Sequence, residues 1–281
     1  MKVTVVLTCF NRKEKTFECI RGLVCGNPQI TFDFVIVDDG STDGTKELLE
    51  KSEYAEMLHV ITTNGNLYYS GGMRVGMEHI IQRAQKPDYL LMVNDDVKFY
   101  ESAIQNLTAQ SRAGGSAVIV GTTCDDSGVQ SYGGVLYTDR KSVKYRAVKA
   151  GETVECDTFN ANCVLIPYSY FEKAGVMDAA YIHSLGDFDY GFALKRADAK
   201  ILASETFVGV CNKNSIKGTW LDTSLPLKKR LALKKSPKGA PAKQWFYFLK
   251  KNFGMGKAIV FTITPYVKLF LGRKYGNEKN C

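Results

Sequence analysis

Asp38 and Asp39 close the apolar run FVIV, Asn94, Asp95 and Asp96 close LLMV, and Asp187 and Asp189 stand two apart in GDFDYGFALKR. Acids in such places have three kinds of chemistry open to them. Neighbouring carboxylates are costly to bury unpaired, but a divalent cation removes that penalty, because a hard cation takes oxygen ligands and binds well beside phosphates. An ionised carboxylate also accepts hydrogen bonds from ribose hydroxyls or from the imide N–H of uracil or thymine. Within reach of a hydroxyl it can act as a general base. Asp95 and Asp96 are adjacent, so an extended backbone points them to opposite sides. One can hold a metal while the other grips ribose, and the metal would stabilise the charge growing on a departing diphosphate. Asp187 follows Gly186 at the entry to a helix, where the N-terminal dipole favours an ionised acid. It is the candidate base, with Asp189 left to brace the loop or cap the helix. Taken singly, each cluster also fits a plain turn or cap, and His183 fits a structural role as well as a site role.

Two loops add to this set. In VIVDDGSTDGT, residues 35–45, Gly40 and Gly44 permit a tight loop and Ser41, Thr42 and Thr45 supply hydroxyls. In NGNLYYSGGMRVGM, residues 64–77, Asn64 and Asn66 sit in a polar loop. Gly71, Gly72 and Gly76 there allow either a phosphate to approach a helix N-terminus or the helix to pack closely on a sheet. The 35–45 loop is not a nucleoside-triphosphate cradle, which needs a Lys after its glycines. The first strand is followed by TCFNRKEKT, not by a dinucleotide fingerprint.

The elements that must position these residues alternate. Apolar runs at 3–10, 32–39, 57–63 and 88–94 read as buried strands. Helical patterns at 13–24, at 71–85 and in TDGTKELLEKSEYA, with Thr and Asp as capping candidates, lie between them. This spacing predicts a mostly parallel sheet covered on both faces, with ligands at the carboxyl ends of its strands. The Asp38–Asp39 and 94–96 clusters follow their strands directly, so they meet. Beyond residue 110 the pattern is α+β: a strand at 117–125, a hairpin at 132–148, strand, turn and short helix over 155–175, a helix at 188–200 and a strand after it.

The chain of 281 residues, 45% hydrophobic, is long enough for one sizeable core and too apolar for disorder. Residues 1–10 read as a first strand rather than a signal peptide. The eight cysteines lie at scattered positions, several inside apolar runs, without zinc-site or disulfide spacing. That predicts a reducing, cytoplasmic setting. The net charge of +8 is uneven: residues 223–281 hold 14 Lys and Arg against Glu278 alone, and residues 1–222 hold 23 basic and 28 acidic side chains. A basic tail of this kind faces an anionic partner. Its apolar stretch between Lys257 and Lys268 is ten residues, interrupted by Pro265. That falls short of the roughly 20 needed to span a bilayer, so an interfacial segment on anionic lipid is expected. A docked helix pair or an oligomer contact is the other reading of the same residues.

TVVLTCFNR, VIVDDGSTDGT, NGN…GG…GM, LLMVNDDV and GDFDYGFALKR occur in this order. Together they resemble glycosyltransferase family 2, over roughly residues 1–215. The resemblance implies an α/β, Rossmann-like nucleotide-sugar transferase architecture of the A type. It implies a catalytic domain over 1–222, with a donor-binding half at 1–110 and an acceptor-side half at 111–222, and the basic extension at 223–281. By the same resemblance Asp39 reads the base, Thr8 and Phe10 line its pocket, Asp95 contacts ribose or sugar, Asp96 holds Mg2+ or Mn2+, and Asp187 is the base of an inverting transfer. Asn66 and Gly72 join the donor-binding set. The donor is expected to be a dTDP- or UDP-sugar and the acceptor a saccharide or lipid-linked saccharide.

Two departures stand out: Asn94 where the usual signature has an acid, and Gly186 before the base. The arrangement looks most like bacterial rhamnosyltransferase-like members that build surface polysaccharide. VGVCNKNSIKGTW resembles that subgroup too, with Asn212, Lys213 and Asn214 as candidates for the donor phosphates. Such an enzyme is expected at the inner face of the plasma membrane. A sugar-phosphate nucleotidylyltransferase would need glycines in TCFNRKEK. A nucleic-acid binder would carry its positive charge over the whole fold, whereas residues 1–222 are net acidic, so no nucleic-acid partner is expected. A non-catalytic member of the fold would tolerate loss of Asp96 and Asp187.

Overall fold

A computed structural model describes residues 1–270. Its strands and helices are, in chain order, β1 (Lys2–Cys9), α1 (Lys13–Gly26), β2 (Thr31–Asp38), α2 (Thr45–Glu50), β3 (Leu58–Thr62), α3 (Tyr68–Ile81), β4 (Tyr89–Val93), β5 (Lys98–Phe99), α4 (Ala103–Ala113), β6 (Val118–Cys124), β7 (Gly134–Asp139), β8 (Lys144–Ala147), β9 (Thr158–Phe159), β10 (Cys163–Pro167), α5 (Tyr168–Ala174), α6 (Gly186–Arg196), β11 (Ile201–Val210), α7 (Leu227–Lys235), α8 (Ala242–Phe253) and α9 (Met255–Phe270).

One eight-stranded sheet runs in the order β3-β2-β1-β4-β10-β6-β11-β5. Within it β1, β2, β3 and β4 are mutually parallel, β6 and β11 are parallel, and β10 and β5 run against their neighbours. Alternation along β1 covers both faces. Val3, Val5 and Leu7 pack with Ile20 and Leu23 of α1 and Leu107 of α4. Val6 packs with Met73 and Met77 of α3 on the other side. Burial on both faces is why these strands read as unbroken apolar runs.

The β2-β1-β4 order makes the junction of β1 and β4 a topological switch point. A crevice therefore opens outside their carboxyl ends. Antiparallel β10 brings its amino-terminal approach, residues 160–162, to the same end, and the Asn94 N–H donates to the Asn162 carbonyl at 3.1 Å.

A three-stranded sheet, β8-β7-β9, covers the second half, and the 132–148 hairpin is present as β7 and β8. The third hydrophobic cluster joins Tyr137 of β7 and Phe192 of α6 to Phe248 and Leu249 of α8 and Ala258 of α9. The first helix differs little from expectation, but α2 stops at Glu50, short of the helical pattern. There the Ser52 N–H bonds to the Leu49 carbonyl, as does its hydroxyl, and the turn tightens. Neither Thr42 nor Asp43 caps α2 in the N-cap position, which Gly44 occupies at φ 83°. Asp43 instead accepts from the Thr45 and Lys13 N–H groups. The seven cysteines among the described residues are all free, and only Cys25 is exposed. Among the described residues no helix is long and apolar enough to cross a membrane. Residues 271–281, the end of the basic extension, lie outside the described residues.

Candidate active site

The strand ends meet at a cleft of about 640 Å3, and Thr8, Phe10, Asp39, Asp95, Asp96 and Asp187 all line it. Thr8 comes from the end of β1 and donates its hydroxyl proton to the Val37 carbonyl at 3.1 Å. Phe10, just past the strand, is 52% exposed, leaving its ring open to a flat ligand. Asn66 is exposed and donates to the Asn64 carbonyl, outside the cleft lining. Gly72 is buried beneath Thr8: a Cβ there would lie 2.3 Å from Thr8 Oγ1. At Gly76 it would lie 2.6 Å from Val6 Cγ2. The Gly71 N–H is bonded to the Ile182 carbonyl. Close helix-to-sheet packing thus accounts for Gly72 and Gly76.

Asp39 is 5% exposed and organises the loop ahead of α3. Its Oδ1 accepts from Thr63 Oγ1 at 2.7 Å and from the Gly65 N–H at 3.1 Å, and its Oδ2 accepts from the Leu67 and Tyr68 N–H groups at 3.0 and 2.8 Å. It therefore satisfies free N–H groups at the start of α3, the service a local cap would otherwise give. Gly40, at φ 79°, sits so close to Gly65 that a Cβ would meet its nitrogen at 2.8 Å.

A single nitrogen, Arg12 Nη1, lies 2.8 Å from Asp95 Oδ1 and 3.1 Å from Asp96 Oδ2. The two acids thus converge on one cation position instead of pointing to opposite sides, because β4 ends at Val93 and residues 95 and 96 lie in a turn, not in extended chain. Burial, only partly offset by Arg12 and reinforced by Asp96, pushes the Asp95 carboxyl up to about 6. Asn94 Oδ1 is buried without a hydrogen-bond partner among the described residues. Among them, too, no group of three or more His, Cys, Asp and Glu side chains forms a cage. Two carboxylates completed by diphosphate oxygens and water are nevertheless an ordinary ligand set for Mg2+ or Mn2+, and the guanidinium held by both acids shows that their oxygens point to a common cation. The residues present fit the metal.

Asp187 stands at the first turn of α6, half-buried, where the Phe188 and Ala161 N–H groups donate to its two oxygens at 2.9 and 3.4 Å. Burial outweighs those bonds and raises its pKa to about 6. A carboxyl so placed is ionised at neutral pH yet basic enough to take a hydroxyl proton. Asp189 braces: it is 2% exposed, and Lys251 Nζ and Asn252 Nδ2 of α8 donate to it at 2.7 and 2.8 Å. A smaller hollow of about 420 Å3 beside that ion pair lies away from the acidic cluster of strand ends. Asn214 lines the main cleft, whereas Asn212 is bonded to Asp126.

Arg12, Asn162, Lys238 and Trp245 also line the cleft, although the sequence pointed to no site role for the first two and marked the last two only as part of a basic tail facing an anionic partner. Arg12 carried a signal, since it follows the end of β1 by three residues. Lys238 and Trp245 carried none that placed them here.

A switch-point cleft with acids at three strand or helix ends is the architecture of a nucleotide-sugar transferase. Residues 4–162, more than half of the chain, match Glycosyl transferase family 2, and the chain belongs to that family. Among solved structures it is similar to the mannosyltransferase PcManGT from Pyrobaculum calidifontis, in complex with GDP-Man and Mn2+. The TM-score is 0.58 at 10% identity, covering 94% of this chain and 74% of that one. It is also similar to S. aureus TarS, with a TM-score of 0.58 at 13% identity, covering 96% of this chain and 49% of that one. At these identities the likeness is one of fold. No curated protein matches the chain.

Proposed function

We propose that this glycosyltransferase is an inverting enzyme that moves rhamnose or another hexose from a dTDP- or UDP-linked donor to a hydroxyl of a glycan or lipid-linked saccharide, in surface polysaccharide synthesis. The observation that carries this reading is the placement of Asp187, with its raised pKa, in the same cleft as Asp39, Asp95 and Asp96. Thr8 and Phe10 take the base, which Asp39 reads through the loop it holds. Asp95 grips ribose or sugar. Asp96, with Asp95 beside it, would hold Mg2+ or Mn2+. Bound there, the metal supplies charge stabilisation to the leaving diphosphate.

Asp187 accepts the proton of the acceptor hydroxyl. The freed oxygen pair forms the new bond to the anomeric carbon as the bond to the diphosphate oxygen breaks on the opposite face. The leaving electrons stay on the diphosphate, and no covalent sugar–enzyme species is required. Divalent metal use and a nucleotide-sugar donor agree with the GDP-Man and Mn2+ of PcManGT. The rhamnosyltransferase-like choice rests on the sequence arrangement around Gly186–Asp187 and residues 208–220.

We place residues 1–222 as the catalytic domain and the extension, 223–281, against an anionic membrane at its cytoplasmic face. Supporting this, Ile259, Ile263, Val267 and Phe270 of α9 are 46–63% exposed at helical spacing. Screening UDP-, dTDP- and GDP-sugars for Mn2+- or Mg2+-dependent hydrolysis and for thermal stabilisation tests the reading. A dTDP-rhamnose response supports the narrow form. Silence toward every nucleotide sugar would overturn the whole.

A further inference from the structure

The cleft is lined by two kinds of residue. The strand ends contribute mainly acidic and polar side chains, with Phe10 the exception. Across from them the lining includes a group of aromatic rings, among them Tyr145, Phe188, Trp245 and Phe248. Trp245 belongs to α8, in the basic extension. Its indole N–H donates to the Phe261 carbonyl of α9 at 3.0 Å, and its ring stacks on Phe248 at 5.5 Å with 13° between planes. The polar handle of the indole is thus satisfied and the ring is held at two points. Phe188, the residue after Asp187, packs edge-on against Tyr145 at 5.8 Å. Fixed aromatic faces with negative quadrupoles suit the weakly positive C–H face of a sugar ring.

Two polar groups accompany them. His183 lines the cleft, and its Nδ1 is buried without a hydrogen-bond partner among the described residues. Such a group is costly unless a ligand completes it. Burial, with the Lys238 charge nearby, lowers the His183 pKa to about 4, so the ring is neutral. Lys238 is exposed and lines the cleft in the turn just before α8, and its carbonyl accepts from Ser184 Oγ at 3.2 Å. That bond ties the turn to the segment leading into Asp187. The Asp189–Lys251 pair ties α8 itself to α6.

We propose that α8 and the turn before it complete the acceptor subsite, and that the acceptor is a saccharide carrying a phosphate. Trp245 and Phe188 take the sugar's apolar face, His183 Nδ1 meets a hydroxyl and the Lys238 ammonium meets the phosphate. This rests on the glycosyltransferase reading above and names its second substrate class.

The test uses the full chain and calorimetric titration with N-acetylglucosamine 1-phosphate, glucose 1-phosphate, the corresponding free sugars, and decyl diphosphate esters of the same sugars. Phosphate-bearing sugars are expected to bind, and free sugars at least about tenfold more weakly. Lys238→Gln, at an exposed position, should erase that preference. Trp245→Phe should keep binding, whereas Trp245→Ala should weaken it about tenfold. Tighter binding of the decyl esters identifies a lipid-linked acceptor, and equal binding a soluble phosphoglycan. Binding of phosphorylated sugars that Lys238→Gln leaves unchanged, or no binding at all, overturns the inference. Thermal stabilisation by a nucleoside diphosphate with Mn2+ is read on the same samples. Where that response persists, the donor reading stands although the acceptor inference has failed.

Discussion

Arg12 Nη1 stands 3.1 Å from Asp96 Oδ2 and reaches Asp95 with the same nitrogen. A guanidinium therefore holds the two carboxylates proposed to bind the metal. The Asp95 carboxyl, pushed up to about 6 from an ordinary 3.8, costs the fold stability as pH rises through that interval, and Arg12 limits the cost. Arg12→Ala is expected to destabilise the protein by about 1–3 kcal/mol at pH 8. The loss should shrink below pH 6, where Asp95 takes a proton. MnCl2 should restore part of the lost Tm at pH 8. Thermal melts at pH 5 and 8, with and without MnCl2, check this, and a deficit independent of both would contradict it.

Lys251 is the main cationic partner of buried Asp189 and also bonds Asp178 at 2.8 Å. Removing one member of a buried pair leaves an uncompensated charge. Lys251→Met is expected to cost about 3 kcal/mol, and Asp189→Asn with Lys251→Met together should cost less than the sum of the single changes. Urea denaturation of the four species measures the coupling. Additive losses would show that α8 is not held to α6 through this contact.

The proposed membrane contact predicts sedimentation with vesicles rich in anionic lipid and little with neutral ones, weakened by salt. Ile259→Glu with Ile263→Glu should abolish it while leaving the melting temperature unchanged, since both side chains are exposed. Equal binding to both vesicle types, or none, would contradict the placement.

Much of the donor half was legible because its physics is local. Strands buried on both faces must be apolar throughout, so β1, β2 and β4 announced themselves, and the acids after them marked the strand ends. The start of α3 was less legible. It begins at Tyr68, ahead of the glycines, because Asp39 receives the Tyr68 N–H from 29 positions away. No short-range signal encodes that bond. The direction of β10 was hidden too, since an apolar pentapeptide reads alike in either orientation. Lys238 and Trp245 read as tail residues, and only the packing of α8 on α6 brings them to the cleft.

The central claim is that Asp187 removes the acceptor proton beside a donor held by the strand-end acids. Asp187→Asn keeps the size and, through its one carbonyl oxygen, the shorter Phe188 contact, but its NH2 cannot accept the weaker Ala161 N–H and the residue cannot serve as the base. Its charge is also costly to bury, since its pKa is raised to about 6. By the same sign as Asp95, that cost appears as pH rises from the ordinary carboxyl value through 6. The decisive measurement is transfer rate and nucleotide-sugar affinity for wild type and Asp187→Asn across pH 5–8, with melts of each. The account predicts a wild-type rate that rises through about pH 6, and a loss of at least about a hundredfold in the variant. It also predicts unchanged donor affinity and an equal or higher Tm at pH 8. A variant that transfers sugar at near wild-type rate, or a wild-type rate flat across that range, would contradict it.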